Sequence, residues 1–345
     1  MSTTSVIMTT YNGEKYLPAQ LESLANQTTR PDKLIISDDG STDRTLEIAD
    51  EFAARAPFPT VVIKNPTRLG YAENFLSATS HATGDYISFC DQDDVWHNRK
   101  IERCVCELER TGSVLCVHAV RLIDGQSQPL GSHTQGTTKD TVFEPLMLPP
   151  WGLFLGFTQT FERRLLTVVD STRRGADNHT ASGLLSHDRW VYLLASSFGR
   201  VVALAEPLAD YRQHQMNLFG QKTTLVDSVR GALTESYDRL AKHRDLAAFR
   251  ADLFSQLAVE LADPHLSAAA GRAHAYWRRL AELYQLRMTL YGSNRLTKRV
   301  KCFSELVAAG AYKNYAEGGL DRKTIPKDVV LGVLQGWHYF GETST

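Results

Sequence analysis

The chain predicts an α/β fold with a mostly parallel sheet, followed by a helical C-terminal region, and three observations carry that prediction. Across the first 120 of its 345 residues, short apolar runs alternate with helical patterns, which is how βαβ units read. Polar clusters follow several of these runs, where ligands gather in such sheets, beyond the carboxyl ends of the strands. From about Thr223 onward the pattern turns helical throughout, with Ala- and Leu-rich stretches at Ser228–Ala262 and Leu266–Tyr291. An α/β domain over 1–220 and a helical region over 221–345 are expected.

The elements follow in order. Ser5–Thr10, built around Val6-Ile7-Met8, reads as a strand and Glu14–Asn26 as a helix. Lys33–Ser37 is the next strand, around Leu34-Ile35-Ile36, and Asp43–Arg55 the next helix. Thr60–Lys64 (strand), Ala72–His81 (helix), Tyr86–Cys90 (strand), Asn98–Arg110 (helix) and Val114–Leu122 (strand) continue the alternation. Gly125–Lys139 has the Gly, Ser and Thr content of a loop or lid. Asp188–Ser197 is helical in pattern, and Leu208–Arg212 is strand-like.

Hydrophobic content of 43% and charged content of 22% suit a globular chain able to bury a full core. Net charge is −1, so general attraction to nucleic acid is not expected. The charge is uneven: Leu266–Thr345 holds 12 Lys and Arg against 6 Asp and Glu, and the preceding residues 26 against 33. The five cysteines, Cys90, Cys104, Cys106, Cys116 and Cys302, show no metal-ligand spacing and read as reduced thiols. No basic-then-apolar leader and no run of 18 apolar residues is present, so a cytoplasmic protein is expected.

The densest chemistry lies in Tyr86–Trp96, where an apolar run empties into Asp91, Asp93 and Asp94. Carboxylates so close repel one another unless a cation sits among them. Hard oxygen ligands of this kind suit Mg²⁺ or Mn²⁺ carrying phosphate oxygens. The alternative is an acidic turn that caps the following helix. Taken alone, Asp188 reads as a residue favoured by the helix dipole at its N-terminus, and His214 as a surface or hydrogen-bonded histidine. Trp96 and Trp190 either offer aromatic faces to a ligand or pack in the core.

The ordered clusters resemble the family 2 glycosyltransferases of GT-A fold. They are Ser5–Asn12, Ile36–Asp43, Gly84–Ile87 leading into Asp91–Asp94, His187–Trp190 and Tyr211–His214, and they span roughly residues 3 to 217. The wording Asp-Gln-Asp-Asp-Val-Trp resembles the bacterial rhamnosyltransferases of cell-surface polysaccharide synthesis. The resemblance implies an Asp-x-Asp pair at Asp91 and Asp93 that holds Mg²⁺ or Mn²⁺, with Asp91 on the metal or the ribose. It implies that Asp39 accepts from a pyrimidine N3–H, that Thr9, Tyr11 and Asn12 surround base and ribose, and that His214 is a third metal or phosphate contact. Arg68 either reaches the base or phosphates or is a plain surface residue. Asp188 becomes the general base of an inverting displacement. His187 departs from the Glu usual before that Asp, which puts in doubt any helper carboxylate.

The donor implied is dTDP-L-rhamnose, with UDP-hexose or UDP-N-acetylhexosamine as the alternative, and the acceptor a glycan or lipid-linked hydroxyl. Two remote readings remain: a haloacid-dehalogenase-type phosphatase, which normally carries its aspartate motif on the first strand, and a nucleotide-sugar binder without catalysis. The basic cluster Arg295, Lys298, Arg299 and Lys301, with apolar Val329–Phe340, suggests peripheral contact with an anionic membrane. The same residues equally suit packing on the catalytic domain or a homodimer contact.

Overall fold

The structure, a computed structural model, describes residues 2–177, 183–214 and 237–335. The chain divides into two units. The first comprises Met1–Pro145, Gly152–Ser171 and Ser186–Gly220, and the second Leu146–Trp151, Thr172–Leu185 and Gln221–Thr345.

In the first unit the order is β1 (Thr4–Thr10), α1 (Leu17–Ala25), β2 (Lys33–Asp38), α2 (Thr45–Arg55), β3 (Thr60–Lys64), α3 (Tyr71–Ala78) and β4 (Tyr86–Asp91). It continues with β5 (Val95–Trp96), α4 (Lys100–Thr111), β6 (Ser113–Ile123), β7 (Pro129–His133), β8 (Thr141–Phe143) and β9 (Thr160–Glu162). Then come α5 (Leu165–Val168), α6 (His187–Phe198) and β10 (Arg200–Arg212). The sheet runs β3-β2-β1-β4-β9-β6-β10-β5, with β7 on β6 and β8 on β10. Strands β3, β2, β1 and β4 are mutually parallel, as are β6 and β10. Short antiparallel β9 sits between β4 and β6, so the sheet is mixed.

Val6, Ile7 and Met8 of β1 and Leu34, Ile35 and Ile36 of β2 are all fully buried. Their runs are unbroken rather than alternating because both faces of a parallel sheet are covered. Helix α1 begins later than its apolar pattern because Pro18 belongs in a first turn, where its missing N–H is no loss. Strand β10 is longer than the predicted Leu208–Arg212, since Glu206-Pro207 interrupts the apolar pattern. In the structure Pro207 lies at a register shift within that strand, where a missing ladder donor is tolerated. Trp190 is fully buried and Trp96 only 3% exposed, so both are core residues.

The second unit contains α7 (Tyr237–Glu260), α8 (Pro264–Gly292) and α9 (Leu296–Ala308), then a π-helical stretch Asp328–Gln335. Asp263 caps α8 by accepting from the N–H groups of His265 and Leu266. Trp151 stacks on His243 at 4.6 Å and donates its indole N–H to the Tyr284 hydroxyl at 2.8 Å. It therefore packs against α7 and α8. The carboxylate of Asp328, fully buried, takes Arg287, Tyr291 and Tyr312 as donors. Of the basic cluster, Arg299 is buried and donates to the carbonyls of Val333 and Ser293, whereas Arg295, Lys298 and Lys301 are exposed. Arg299 shares its helix face with buried Cys302 and Leu306, which turns it inward. Trp337, Tyr339 and Phe340 lie outside the described residues.

Candidate active site

In the register of the central strands Thr9 lies beside both Asp91 and Ser37, so the loops after β1, β2 and β4 leave the same sheet edge. The Gln92 amide joins two of them: it accepts from Tyr11 N–H and donates to Tyr11 C=O, each at 3.0 Å. Gly13 permits that approach, since a Cβ there would stand 2.2 Å from Gln92 Oε1. Asn12 takes a positive φ of 48° and donates its N–H to Ser41 Oγ while its side chain accepts from Thr42 N–H.

The two aspartates after β2 divide the work. Asp38 accepts from Thr10, Gly40 and Ser41 and holds the turn itself. Asp39, 4% exposed, accepts from the N–H of Leu69 at 2.6 Å and of Gly70 at 2.8 Å. Asn65 Nδ2 is a third donor at 3.3 Å, and since a carboxylate offers about four lone-pair positions, room for one more remains. Gly70 reaches this geometry at a φ of 82°, which a side chain would strain. The guanidinium of Arg68 lies 3.9 Å over the Tyr11 ring and 4.0 Å from Asp39, so Tyr11, Arg68 and Asp39 form one cluster.

The acidic loop after β4 is held from the end of β10. Arg212 donates its N–H to Asp94 Oδ1 at 3.0 Å and its Nε to the Asp93 carbonyl at 2.8 Å. His214 Nε2 lies 2.7 Å from Asp93 Oδ2, and its ring sits 5.1 Å from that of Tyr16. Asp94 is fully buried, and burial, then Asp93 and Asp91, push its carboxyl well above the usual range. Its Oδ2 meets no hydrogen-bond partner among the described residues.

Asp91 is pushed up to about 7 by burial, then by the charges of Asp93 and Asp188, with Lys100 opposing. Asp188 comes from α6, where the preceding His187 ring packs 4.9 Å from that of Phe89 in β4. There Ser186 Oγ at 2.5 Å and Arg189 N–H at 2.8 Å both bond Asp188 Oδ1. Gln159 Nε2 donates to the Asp188 carbonyl at 3.1 Å and to that of Phe154 at 2.9 Å. His187 packs on the Phe75 ring at 4.1 Å and against Phe89, in the core.

Among the described residues no group of three or more His, Cys, Asp or Glu side chains is arranged to hold a metal ion. The three expected ligands thus stand as an Asp93–His214 pair with Asp91 beside it, rather than as a closed set. Asp91, Asp93 and Asp94 bring carboxylate oxygens together there, and the buried Asp94 Oδ2 meets no partner among the described residues. Mg²⁺ and Mn²⁺ are commonly bound through one or two carboxylates plus substrate phosphates, so this donor set fits such an ion.

Lys100 is a buried residue near the acidic loop that sequence reading missed. It is fully buried, its ammonium donates to the Phe157 carbonyl at 2.5 Å, and it lies 3.4 Å over the Trp96 ring. Burial lowers its pKa to about 8, against the pull of Cys104, Cys90, Asp94 and Asp91. Its place beside Ile101 and one turn before Cys104, on the apolar stripe of α4, is the signal that would have found it.

Residues 5–169 match the family described as Glycosyl transferase family 2. The chain is 30% identical over 217 residues to the Mycobacterium tuberculosis protein Rv1520, an alignment covering 61% of this chain and 58% of that one. It thus spans little more than half the length of that relative. It is 28% identical over 224 residues to the dTDP-rhamnosyl transferase RfbG of Shigella flexneri, covering 62% of this chain and 73% of RfbG. The crystal structure of S. aureus TarS 1-349 in complex with UDP-GlcNAc superposes with a TM-score of 0.53 at 19% identity, over 90% of this chain and 93% of that one. At that identity the likeness speaks for the fold alone.

Proposed function

We propose, from the premise that this chain belongs through residues 5–169 to the family 2 glycosyltransferases, that it moves a sugar from a nucleotide donor to an acceptor hydroxyl with inversion. The observation that best supports the reading is that α6 packs on β4 through the His187 and Phe89 rings, 4.9 Å apart, one residue from Asp188 and two from Asp91. In this reading a base and a cation-binding acidic loop flank one site. Asp188, seated by Ser186 and the α6 N-terminus, takes the proton of the acceptor hydroxyl. The hydroxyl oxygen bonds to the anomeric carbon as the bond to the diphosphate breaks, and the diphosphate leaves with the electron pair. With one base and no covalent nucleophile, the configuration inverts.

Asp91 and Asp93, with His214 beside Asp93, would hold Mg²⁺ or Mn²⁺. The ion supplies Lewis-acid neutralisation of the leaving diphosphate. Tyr11, Asn12, Thr9 and Asp39 frame the base and ribose, with the spare capacity of Asp39 directed to a pyrimidine N3–H, and Arg68 adds positive charge there. We assign dTDP-L-rhamnose as donor, supported by the Asp91–Trp96 wording and by the likeness to RfbG. The acceptor is a glycan or lipid-linked hydroxyl in cell-surface polysaccharide synthesis, and the chain works in the cytoplasm at the inner membrane surface. No helix among the described residues is long and apolar enough to cross a membrane. The surface assignment rests on exposed Arg295, Lys298 and Lys301 with exposed Leu296, Val300 and Val307 on α9.

A thermal-shift screen of nucleotide sugars with Mg²⁺ or Mn²⁺ tests the donor. A ligand that binds only the folded state at a hundred times its Kd stabilises by about 2.7 kcal/mol. dTDP-L-rhamnose should give the largest shift. A larger shift from a UDP-hexose would replace the donor and leave the base and acidic loop in place.

A further inference from the structure

We propose that Lys100 is a positioning residue: its buried ammonium ties the acidic loop to the turn that seats Asp188, and so fixes the gap across which donor and acceptor meet. The proposal rests on the transferase reading above. A buried ammonium is costly unless paired, and an apolar side chain would fill the same place on the stripe formed by Ile101, Cys104 and Leu108. The charge must therefore answer something. On one side it lies 3.4 Å over the ring of Trp96, in strand β5, which follows Asp94 and closes the acidic loop.

On the other side Lys100 donates to the Phe157 carbonyl at 2.5 Å, in the turn Gly156–Thr158. The next residue, Gln159, is fully buried and donates to the backbone carbonyl of Asp188 at 3.1 Å. A chain of contacts thus runs from the acidic loop through Lys100, the turn and Gln159 to the first turn of α6. Its end points are the two sides of the proposed site. A misplacement of about 1 Å at such a site can cost on the order of 10²-fold in rate.

The test is a double-mutant cycle on turnover, with Lys100→Met and Asp188→Asn alone and together, each checked for a cooperative melt and a donor-induced thermal shift. Lys100→Met should lower kcat by about 10- to 100-fold in the native background and change the residual rate of Asp188→Asn by less than about 3-fold. An equal loss in both backgrounds, or native turnover in Lys100→Met, overturns the proposal. Lys100→Gln, which retains a donor for the Phe157 carbonyl, serves if the Met variant does not melt cooperatively. If neither variant folds, the lysine is purely structural and the proposal falls. Undiminished turnover in Asp188→Asn alone removes the base assignment itself, a different result from additivity.

Discussion

Asp188 and Asp91 lie far apart in the chain and share an electrostatic environment in the fold. Replacing Asp188 by Asn keeps its size and its Ser186 and Arg189 partners in reach while removing the proposed base. Turnover should fall by about 10²- to 10⁴-fold with donor binding retained, a loss in kcat rather than KM. Steady-state rates beside a donor thermal shift read both, and turnover within a few-fold of native would assign the base elsewhere. The acidic residues were legible because they follow an apolar strand, a place that chemistry and the family wording both mark. Lys100 was passed over, because a lysine in the first turn of a helix reads as solvated, although its spacing from Cys104 places it on the apolar stripe of α4. Asp39 was singled out by its place after an apolar strand, whereas its closure of the loop through Leu69 and Gly70 depends on a backbone path that no spacing reveals.

Strand β10 brings Arg212 and His214 to the acidic loop, and Asp210 braces it from within. Its carboxylate bonds His97 at 2.8 Å and Arg121 at 2.7 and 2.6 Å. Burial acts to raise the Asp210 pKa, but His97 and Arg121 outweigh it and hold the group below 3.8. A carboxyl depressed in the folded state adds stability above its unfolded pKa and loses it as pH falls through the folded value. Asp210→Asn should therefore cost roughly 2 kcal/mol at neutral pH, and the deficit should shrink below about pH 4. Urea melts at several pH values check this, and a pH-independent deficit would mean that the charge is not what stabilises. The long strands and helices of this unit were readable from apolar periodicity. Two-residue β5 and three-residue β9 were not, because so short a segment carries no period and forms only when its neighbours are in place.

At the scale of the whole chain, the helical C-terminal region was evident from composition, but its membership was not. Leu146–Trp151 and Thr172–Leu185 belong to the second unit, an assignment made by tertiary contacts such as Trp151 with His243 and Arg250 with the Pro150 carbonyl. Asp328→Ala would leave Arg287 buried without its partner, and such a loss typically costs 3–5 kcal/mol. Chemical denaturation should show it, and a loss under about 1 kcal/mol would mean the network is dispensable. Anionic vesicles should co-sediment the chain at low salt, with about 1 kcal/mol lost for each of Lys298 and Lys301 changed to Gln. A chain that stays in the supernatant leaves the basic face of α9 to a dimer or docking contact. The central claim is that sugar transfer depends on the β4 carboxylates and a divalent cation. It is tested most directly by nucleoside diphosphate release from the donor before and after divalent ions are stripped, with Asp91→Asn and Asp93→Asn alongside. Release should stop on stripping, resume with Mn²⁺ or Mg²⁺, and fall on the order of 10²-fold in both variants. Undiminished release from the stripped protein or from both variants would contradict the account.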